Sequence, residues 1–234
     1  MKNHKYLAVL DYFFVLRPML FFPGWATLLA GYFVARHRGS IALNGLIGSA
    51  PPETAWLLIA FAAAMGASFL LNQITDVESD RINNKLFIIA EGYLTRFSAL
   101  TESAVLIGIA LFISFAFSAG TGALILIFIV LTGWFYNFAP FRFKDRPWWS
   151  LLANSLMGWL AFAIGWTAVV PFGPRLLVDS LPYLLLNTAL YLYTTLPDRE
   201  GDAETSKKTL AVMYGTDKLI MAAFAMFSAG LIIA

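Results

Sequence analysis

The chain has 234 residues, of which 59% are hydrophobic and 13% are charged, and its formal net charge is +2. Soluble domains carry about 25% charged residues, so this composition indicates an integral membrane protein that contacts membrane lipids. The small net charge argues against a nucleic-acid partner. The absence of cysteine excludes disulfides, thiolate catalysis and cysteine-ligated metal sites.

Seven apolar segments are predicted to cross the membrane, because each approaches the roughly 20 residues that span a bilayer as a helix. The runs lack the alternation typical of a barrel. The predicted fold is therefore all-α, a polytopic transmembrane helix bundle, taken as one domain over residues 1–234. The segments cover residues 12–35, 55–75, 98–118, 121–140, 148–171, 180–197 and 215–234.

Two further features of these segments lead to expectations. The last segment ends at Ala234 within a hydrophobic stretch, which suggests a truncated chain. Small residues within the segments are expected to let helices pack closely: Gly31, Gly66, Gly108, Gly133, Gly158 and Gly165.

Basic residues are distributed unevenly between the two predicted sides, and the richer side is expected to be cytoplasmic. The N-terminus falls on that side. In a bacterium, the membrane would be the inner membrane. The poorer side holds only Arg36, Arg38 and Arg175. The richer side holds Lys2, Lys5, Arg81, Lys85, Arg96, Arg142, Lys144, Arg146, Arg199, Lys207, Lys208 and Lys218.

Arg17, followed by Pro18, lies inside the first apolar segment. An arginine within the membrane is costly and is a functional hypothesis by default. The competing explanation is that its side chain reaches back to the membrane surface. We favour the interpretation in which Arg17 faces a cavity.

The first acidic motif consists of Asn72, Asp76 and Asp80 at the end of the second segment. A spacing of four residues places the three side chains in one row along a helix. A buried asparagine within a span needs a polar partner. The simpler alternative is a solvated helix end with ordinary loop charges.

The end of the fourth segment and the loop that follows it contain Tyr136, Pro140, Lys144 and Arg146. An aromatic belt followed by cytoplasmic basic residues would account for most of this pattern. In the alternative interpretation, Lys144 and Arg146 contact an anionic leaving group and Tyr136 donates a hydrogen bond to it. Asn154, in the next segment, either lines the same pocket or joins two helices.

The second acidic motif pairs Asp198 with Asp202, again four residues apart. Pro197 is suited to begin a short helix there. A solvated charged loop is the alternative, but both motifs fall on the same predicted side. Two facing groups of carboxylates suit divalent cations, and such cations suit a diphosphate.

These motifs resemble the UbiA superfamily of intramembrane prenyltransferases, in order and over nearly the whole chain. The resemblance includes the run from Thr209 to Gly215 that follows the second motif, and Arg17 in the first helix. It implies a bundle of about nine spans around a central cavity. It also implies Mg²⁺-dependent transfer of an isoprenoid chain from a prenyl diphosphate to a lipophilic or aromatic acceptor.

Carried over by position, the resemblance assigns roles to individual residues. Lys144 would contact the diphosphate, with Arg17 and Tyr136 in the pocket. The ligands of the magnesium–diphosphate would be Asn72, Asp76, Asp80, Asp198 and Asp202.

The chain departs from the family pattern in two places. The stretch after the first motif, residues 83–92, lacks the prolines and the second arginine that are common in the family, and Phe87 stands in that arginine's place. Gln73 follows Asn72 where aspartate is common.

Two other functions remain open. One is a cation-coupled transporter or channel, for which carboxylates near the middle of the membrane are expected. The other is a non-catalytic membrane scaffold.

Overall fold

The computed structural model describes residues 8–38, 52–82, 87–197, 199–204 and 208–234. Within these residues the chain is helical and forms no strand, which confirms the predicted fold class. The helices are α1 (Ala8–Phe14), α2 (Phe21–Arg38), α3 (Pro52–Ile82), α4 (Phe87–Ala90), α5 (Arg96–Phe117), α6 (Ala119–Ile129), α7 (Pro147–Thr167), α8 (Pro174–Asp179), α9 (Leu181–Thr194), α10 (Arg199–Glu204), α11 (Leu210–Tyr214) and α12 (Thr216–Ile233).

Helices form in all seven segments that the sequence predicts, but they differ in length. Four stretches are long and apolar enough to cross a membrane: Val9–His37, Pro52–Glu78, Arg96–Phe117 and Thr216–Ile233. Helix α9 has 14 residues, about 21 Å at 1.5 Å per residue. That is shorter than the roughly 30 Å hydrocarbon core, so α9 by itself does not reach from one side to the other.

The first predicted apolar segment, residues 12–35, lies within the candidate span Val9–His37, but its helix is broken rather than continuous. Helix α1 ends at Phe14, a 3₁₀ turn covers Pro18–Leu20, and α2 begins at Phe21. Pro18 has no N–H to donate and disfavours a helical conformation at the preceding residue. Arg17 accordingly adopts a left-handed conformation, with φ of 57°.

Three helix pairs make the most extensive contacts: α3 with α5, α2 with α7, and α9 with α12. Helix α6 packs on both α5 and α7, which joins the first five long helices into one bundle. The central core contains Leu28, Phe61, Ile125 and Ile164. Many large apolar side chains on the outside remain exposed, as expected for a surface that faces lipid.

The contact between α2 and α7 depends on two glycines. A Cβ at Gly31 would overlap the backbone carbonyl of Phe162, and a Cβ at Gly165 would overlap that of Leu28. The prediction of close packing is confirmed at these two positions. It is wrong for Gly108, where a Cβ would meet no described atom within 4 Å, because that face of α5 is exposed.

We expect Gly165→Ala to lower the free energy of unfolding by about 1–3 kcal/mol, because the backbones of α2 and α7 must move apart to admit the methyl group. Gly108→Ala is the matched control, with an expected change within about 0.5 kcal/mol. Thermal melting of the purified variants in detergent measures both. Equal melting temperatures for the two variants would contradict the proposed packing.

Candidate active site

The first acidic motif lies near the C-terminal end of α3, a helix of 31 residues and thus about 46 Å long. This exceeds the hydrocarbon core of about 30 Å, so the helix is long enough for one end to project beyond the core. Asn72 Nδ2 donates a hydrogen bond to Asp76 Oδ2 at 2.9 Å. Asp76 and Asp80 are both partly buried.

Asn137 is part of this site, although no role was predicted for it from the sequence. Its side chain is 1% exposed, and its Oδ1 accepts a hydrogen bond from Asn72 Nδ2 at 2.9 Å. Its own Nδ2 donates to the carbonyls of Thr132 and Gly133 at 2.8 and 3.1 Å. Those carbonyls belong to a π-helical turn over Val130–Phe135, and such turns are frequent at functional sites.

Lys144 reaches across from the loop after α6 to the acidic row on α3. Its Nζ donates to Asp76 Oδ1 at 2.8 Å and to Thr75 Oγ1 at 2.6 Å. The Lys144 side chain is 7% exposed and that of Asp76 is 17% exposed. Burial lowers the pKa of the Lys144 amine below its usual value, while the neighbouring Asp76 carboxylate opposes this shift.

The loop that carries Lys144 is held by local contacts. The backbone N–H of Lys144 donates to the Tyr136 carbonyl at 3.2 Å, and Arg142 pairs with Asp145 at 2.9 Å. Arg146, by contrast, is exposed, and its guanidinium donates to the Pro140 carbonyl at 3.2 Å. The structure therefore does not bring Arg146 into the cluster formed by Lys144 and Asp76.

Arg17 approaches α3 one turn before the acidic row. Its guanidinium lies 5.8 Å from the centre of the Phe69 ring. Gln73, which is 2% exposed, donates to the carbonyl of Val15 at 2.7 Å and to that of Phe69 at 3.2 Å. A carboxylate cannot donate such bonds, so the departure from aspartate at Gln73 serves to tie the end of α1 to α3.

A polar cluster of Tyr136, Ser150, Asn154 and Tyr191 lies next to Lys144. Ser150 Oγ is 2.7 Å from the Tyr191 hydroxyl and 3.3 Å from the Tyr136 hydroxyl. Asn154 Nδ2 donates to the Tyr136 hydroxyl at 3.3 Å and to the Ser150 carbonyl at 2.9 Å. Ser150 and Tyr191 were not predicted from the sequence, because a serine or a tyrosine within an apolar segment does not by itself indicate a site.

The second acidic motif is only partly within the described residues, since Asp198 lies outside them. A short helix, α10, begins at Arg199 rather than at Pro197 and carries Asp202, which is 8% exposed.

The chemistry of these side chains fits a hard divalent cation. Asp76, Asp80 and Asp202 offer carboxylate oxygens, which Mg²⁺ prefers. Asn72 uses its Nδ2 on Asp76 and Asn137, while its Oδ1 has no hydrogen-bond donor in the described part of the chain and is available to a metal. Among described residues, no three Asp, Glu or His side chains already form a metal-binding group.

A profile of the UbiA prenyltransferase family matches residues 24–234, a range that contains both acidic motifs and Lys144. The chain belongs to the UbiA prenyltransferase family. Family membership and the long apolar helices identify it as an integral membrane protein of an intramembrane prenyltransferase family. None of the curated proteins compared with the chain matches it.

Solved UbiA structures share the fold. A UbiA homologue from Archaeoglobus fulgidus bound to GPP and Mg²⁺ is 21% identical, with a TM-score of 0.75 over 95% of this chain and 76% of that chain. The same homologue bound to Cd²⁺ is 20% identical, with a TM-score of 0.70 over 94% and 74%. A structure of a digeranylgeranylglyceryl phosphate synthase is 16% identical, with a TM-score of 0.72 over 97% and 76%.

Proposed function

We propose that the chain, as a single domain, transfers an isoprenoid group from a prenyl diphosphate to an aromatic acceptor, with the acidic end of the bundle as its active site. One observation carries this proposal. Side chains from separate parts of the fold meet beside the first acidic motif: Lys144 pairs with Asp76, Asn137 accepts from Asn72, and Tyr136 and Tyr191 both contact Ser150. The A. fulgidus homologue with bound GPP and Mg²⁺ supports the same donor class.

Carboxylates from the two motifs would hold Mg²⁺, with Asn72 Oδ1 as a further ligand alongside Asp76, Asp80, Asp198 and Asp202. A diphosphate is strongly anionic, so acidic side chains alone would repel it. Bound Mg²⁺ would offset this repulsion and stabilise the negative charge that the diphosphate gains on leaving. Lys144 pairs with Asp76. Such a pair is expected because a mostly buried carboxylate is costly without a neighbouring cation.

Lys144 and Arg17 are proposed to bind the departing diphosphate. The Lys144 ammonium is mostly buried, and a donor in such surroundings stabilises developing charge more strongly than one in water. As the allylic C–O bond breaks, its electron pair goes to the diphosphate oxygen, which Lys144 can contact once it leaves Asp76. Arg17 is the second cation on this side of α3, and its position over Phe69 places it one turn from Asn72.

The acceptor is proposed to lie beside Tyr136 and Asn154, adjacent to the leaving group. Its electron-rich carbon attacks the allylic carbon, a C–C bond forms, and the ring proton leaves to diphosphate or water. Apolar side chains of the bundle exclude water from the allylic cation. The distribution of lysine and arginine favours a cytoplasmic active-site face, with the N-terminus on the same side.

A cation-coupled transporter or channel is the second candidate. Transporter sites lie near the bilayer midplane between repeated halves, whereas Asp76 and Asp80 lie in the last two turns of α3, a helix longer than the membrane core is thick. This position favours the enzyme.

Purified protein in detergent should convert geranyl diphosphate and an aromatic acceptor from a panel into a prenylated product, detected by mass spectrometry, only when Mg²⁺ is present. Diphosphate release should accompany the product. Cation flux into liposomes without any prenyl diphosphate, together with no product from the whole panel, would contradict the enzyme and support the transporter.

A further inference from the structure

The π-helical turn that follows α6 leaves two backbone carbonyls without their regular helical partners. In an α-helix the Thr132 carbonyl would accept the N–H of Tyr136, four residues later. Here that N–H donates to the Leu131 carbonyl at 2.9 Å. The N–H of Asn137, the regular partner of the Gly133 carbonyl, donates one residue further along instead, at 3.2 Å. Both carbonyls are buried polar groups that require other donors.

The side-chain amide of Asn137 supplies those donors. Its Nδ2 donates to the carbonyls of Thr132 and Gly133 at 2.8 and 3.1 Å. A carbonyl oxygen only accepts hydrogen bonds, so these two oxygens fix which end of the amide faces the turn. The reversed amide would place Oδ1 against both of them, and this side chain is 1% exposed, so no solvent would relieve the contact.

The fixed amide of Asn137 in turn determines the orientation of Asn72. Asn137 Oδ1 can only accept a hydrogen bond, and Asn72 Nδ2 donates to it at 2.9 Å. If the Asn72 amide were reversed, two amide oxygens would face each other. Asn72 therefore uses its nitrogen on Asn137 and keeps its Oδ1 for a divalent cation, which prefers oxygen ligands.

A second hydrogen bond of Asn72 does not make Asn137 redundant. Asn72 Nδ2 also donates to Asp76 Oδ2 at 2.9 Å, but Asp76 pairs with Lys144 as well and is itself a proposed metal ligand. A bound cation would attract the carboxylate oxygens and weaken their bond to Asn72. Asn137 is uncharged, and both of its side-chain polar atoms are already hydrogen-bonded, so its orientation does not depend on the metal.

We propose that Asn137 is a positioning residue for the metal site, which holds the Asn72 amide so that Oδ1, rather than Nδ2, faces the cation. The π-helical turn is the element that orients Asn137. The proposal rests on the proposed function, because Asn72 is a metal ligand only if the acidic end binds Mg²⁺ with a diphosphate. Replacing a group that orients a metal ligand typically lowers metal affinity by about 10- to 100-fold.

Binding of the donor without any acceptor measures this role separately from turnover. The full chain in detergent is incubated with radiolabelled geranyl diphosphate, and the Mg²⁺ concentration that gives half-maximal binding is determined. We expect Asn137→Leu, which is close in size but forms no hydrogen bonds, to raise that concentration at least about tenfold. Asn137→Thr should raise it too. Its hydroxyl can donate to the Gly133 carbonyl but is one atom too short to hold Asn72.

Thr132→Val is the matched structural control. The Thr132 hydroxyl donates to the Phe128 carbonyl at 2.8 Å and pairs with the Ser68 hydroxyl, so this variant should melt at a lower temperature than wild type. The backbone carbonyl of Thr132, which holds Asn137, is retained. The Mg²⁺ requirement for donor binding should therefore equal that of wild type.

Asn72→Asp separates positioning from a structural effect. The introduced carboxylate has two acceptor oxygens, so no neighbour is needed to set which atom faces the cation. In this background Asn137→Leu should not raise the Mg²⁺ requirement, a non-additivity that is expected of residues that act together. A merely structural effect would raise it in both backgrounds.

A wild-type Mg²⁺ requirement in both Asn137 variants, or an equal rise in the Asn72→Asp background, would overturn the inference. Should Asn137→Leu not fold, Asn137→Thr decides in both backgrounds. Mg²⁺-dependent binding of geranyl diphosphate by the wild type tests the proposed function separately. No such binding would remove both proposals, whereas binding that the Asn137 variants leave unaffected would remove only the role of Asn137.

Discussion

Asp76→Asn is expected to lower kcat/KM for prenyl transfer on the order of 10³-fold, which corresponds to about 4 kcal/mol of transition-state stabilisation. Asp76 contacts both Lys144 and Asn72, so its carboxylate is central to the proposed metal and diphosphate site. The amide has nearly the same shape but no charge. The Mg²⁺ concentration needed for half-maximal rate should rise as well, which steady-state assays at varied Mg²⁺ measure.

Glu78→Gln is the matched control for this prediction. Glu78 lies on the same helix, but its side chain is 82% exposed. Its carboxylate lies 3.9 Å from the Arg81 guanidinium. Pairs this exposed contribute little, so turnover should stay within about twofold of wild type. Equal activity in Asp76→Asn and Glu78→Gln would show that the acidic row of α3 is not the active site.

Lys144→Met is expected to reduce kcat/KM by about 10²- to 10³-fold, because the leaving diphosphate loses a buried cationic donor. It should also destabilise the metal-free protein by roughly 3 kcal/mol, since removing one partner of a buried ion pair leaves the other uncompensated. In the variant, bound Mg²⁺ would compensate the negative charge of Asp76 in place of the Lys144 ammonium. The melting temperature of this variant should therefore drop in EDTA and recover substantially with Mg²⁺.

Lys218→Met provides the comparison, because Lys218 is an exposed lysine at the start of α12. Its melting temperature should be equal to that of wild type in EDTA and in Mg²⁺. A Lys144→Met protein that melts like wild type in EDTA would mean that the pair with Asp76 contributes nothing to the fold. Unchanged turnover would remove Lys144 from the reaction.

The helical fold was predictable because apolar run length is a direct consequence of bilayer thickness. The break in the first helix at Arg17 was harder to predict, since hydropathy carries no information on backbone conformation and Arg17 is left-handed. The shortness of α9 was missed for a similar reason. Its predicted segment extended to residue 197, but the helix ends at Thr194, and composition alone does not distinguish helix from the apolar turn that follows.

At the candidate site, the residues of the regularly spaced acidic motifs could be predicted from the sequence. Spacing gave no indication of polar residues that lie outside those motifs. Asn72 and Asp76 were predictable because a four-residue period aligns them on one helix face, and the structure joins them by a hydrogen bond. Asn137, Ser150 and Tyr191 belong to no repeated acidic motif. Their roles arise from contacts between distant helices, which a π-helical turn and helix packing determine.

The central claim is that both acidic motifs hold one metal-bound diphosphate, and equilibrium binding of radiolabelled geranyl diphosphate tests it most directly. Wild type, Asp76→Asn and Asp202→Asn are each titrated with Mg²⁺ at a fixed concentration of geranyl diphosphate. We predict no binding in EDTA, and at least about a tenfold higher Mg²⁺ requirement in both variants. Full binding in EDTA, or wild-type behaviour of Asp202→Asn, would contradict it.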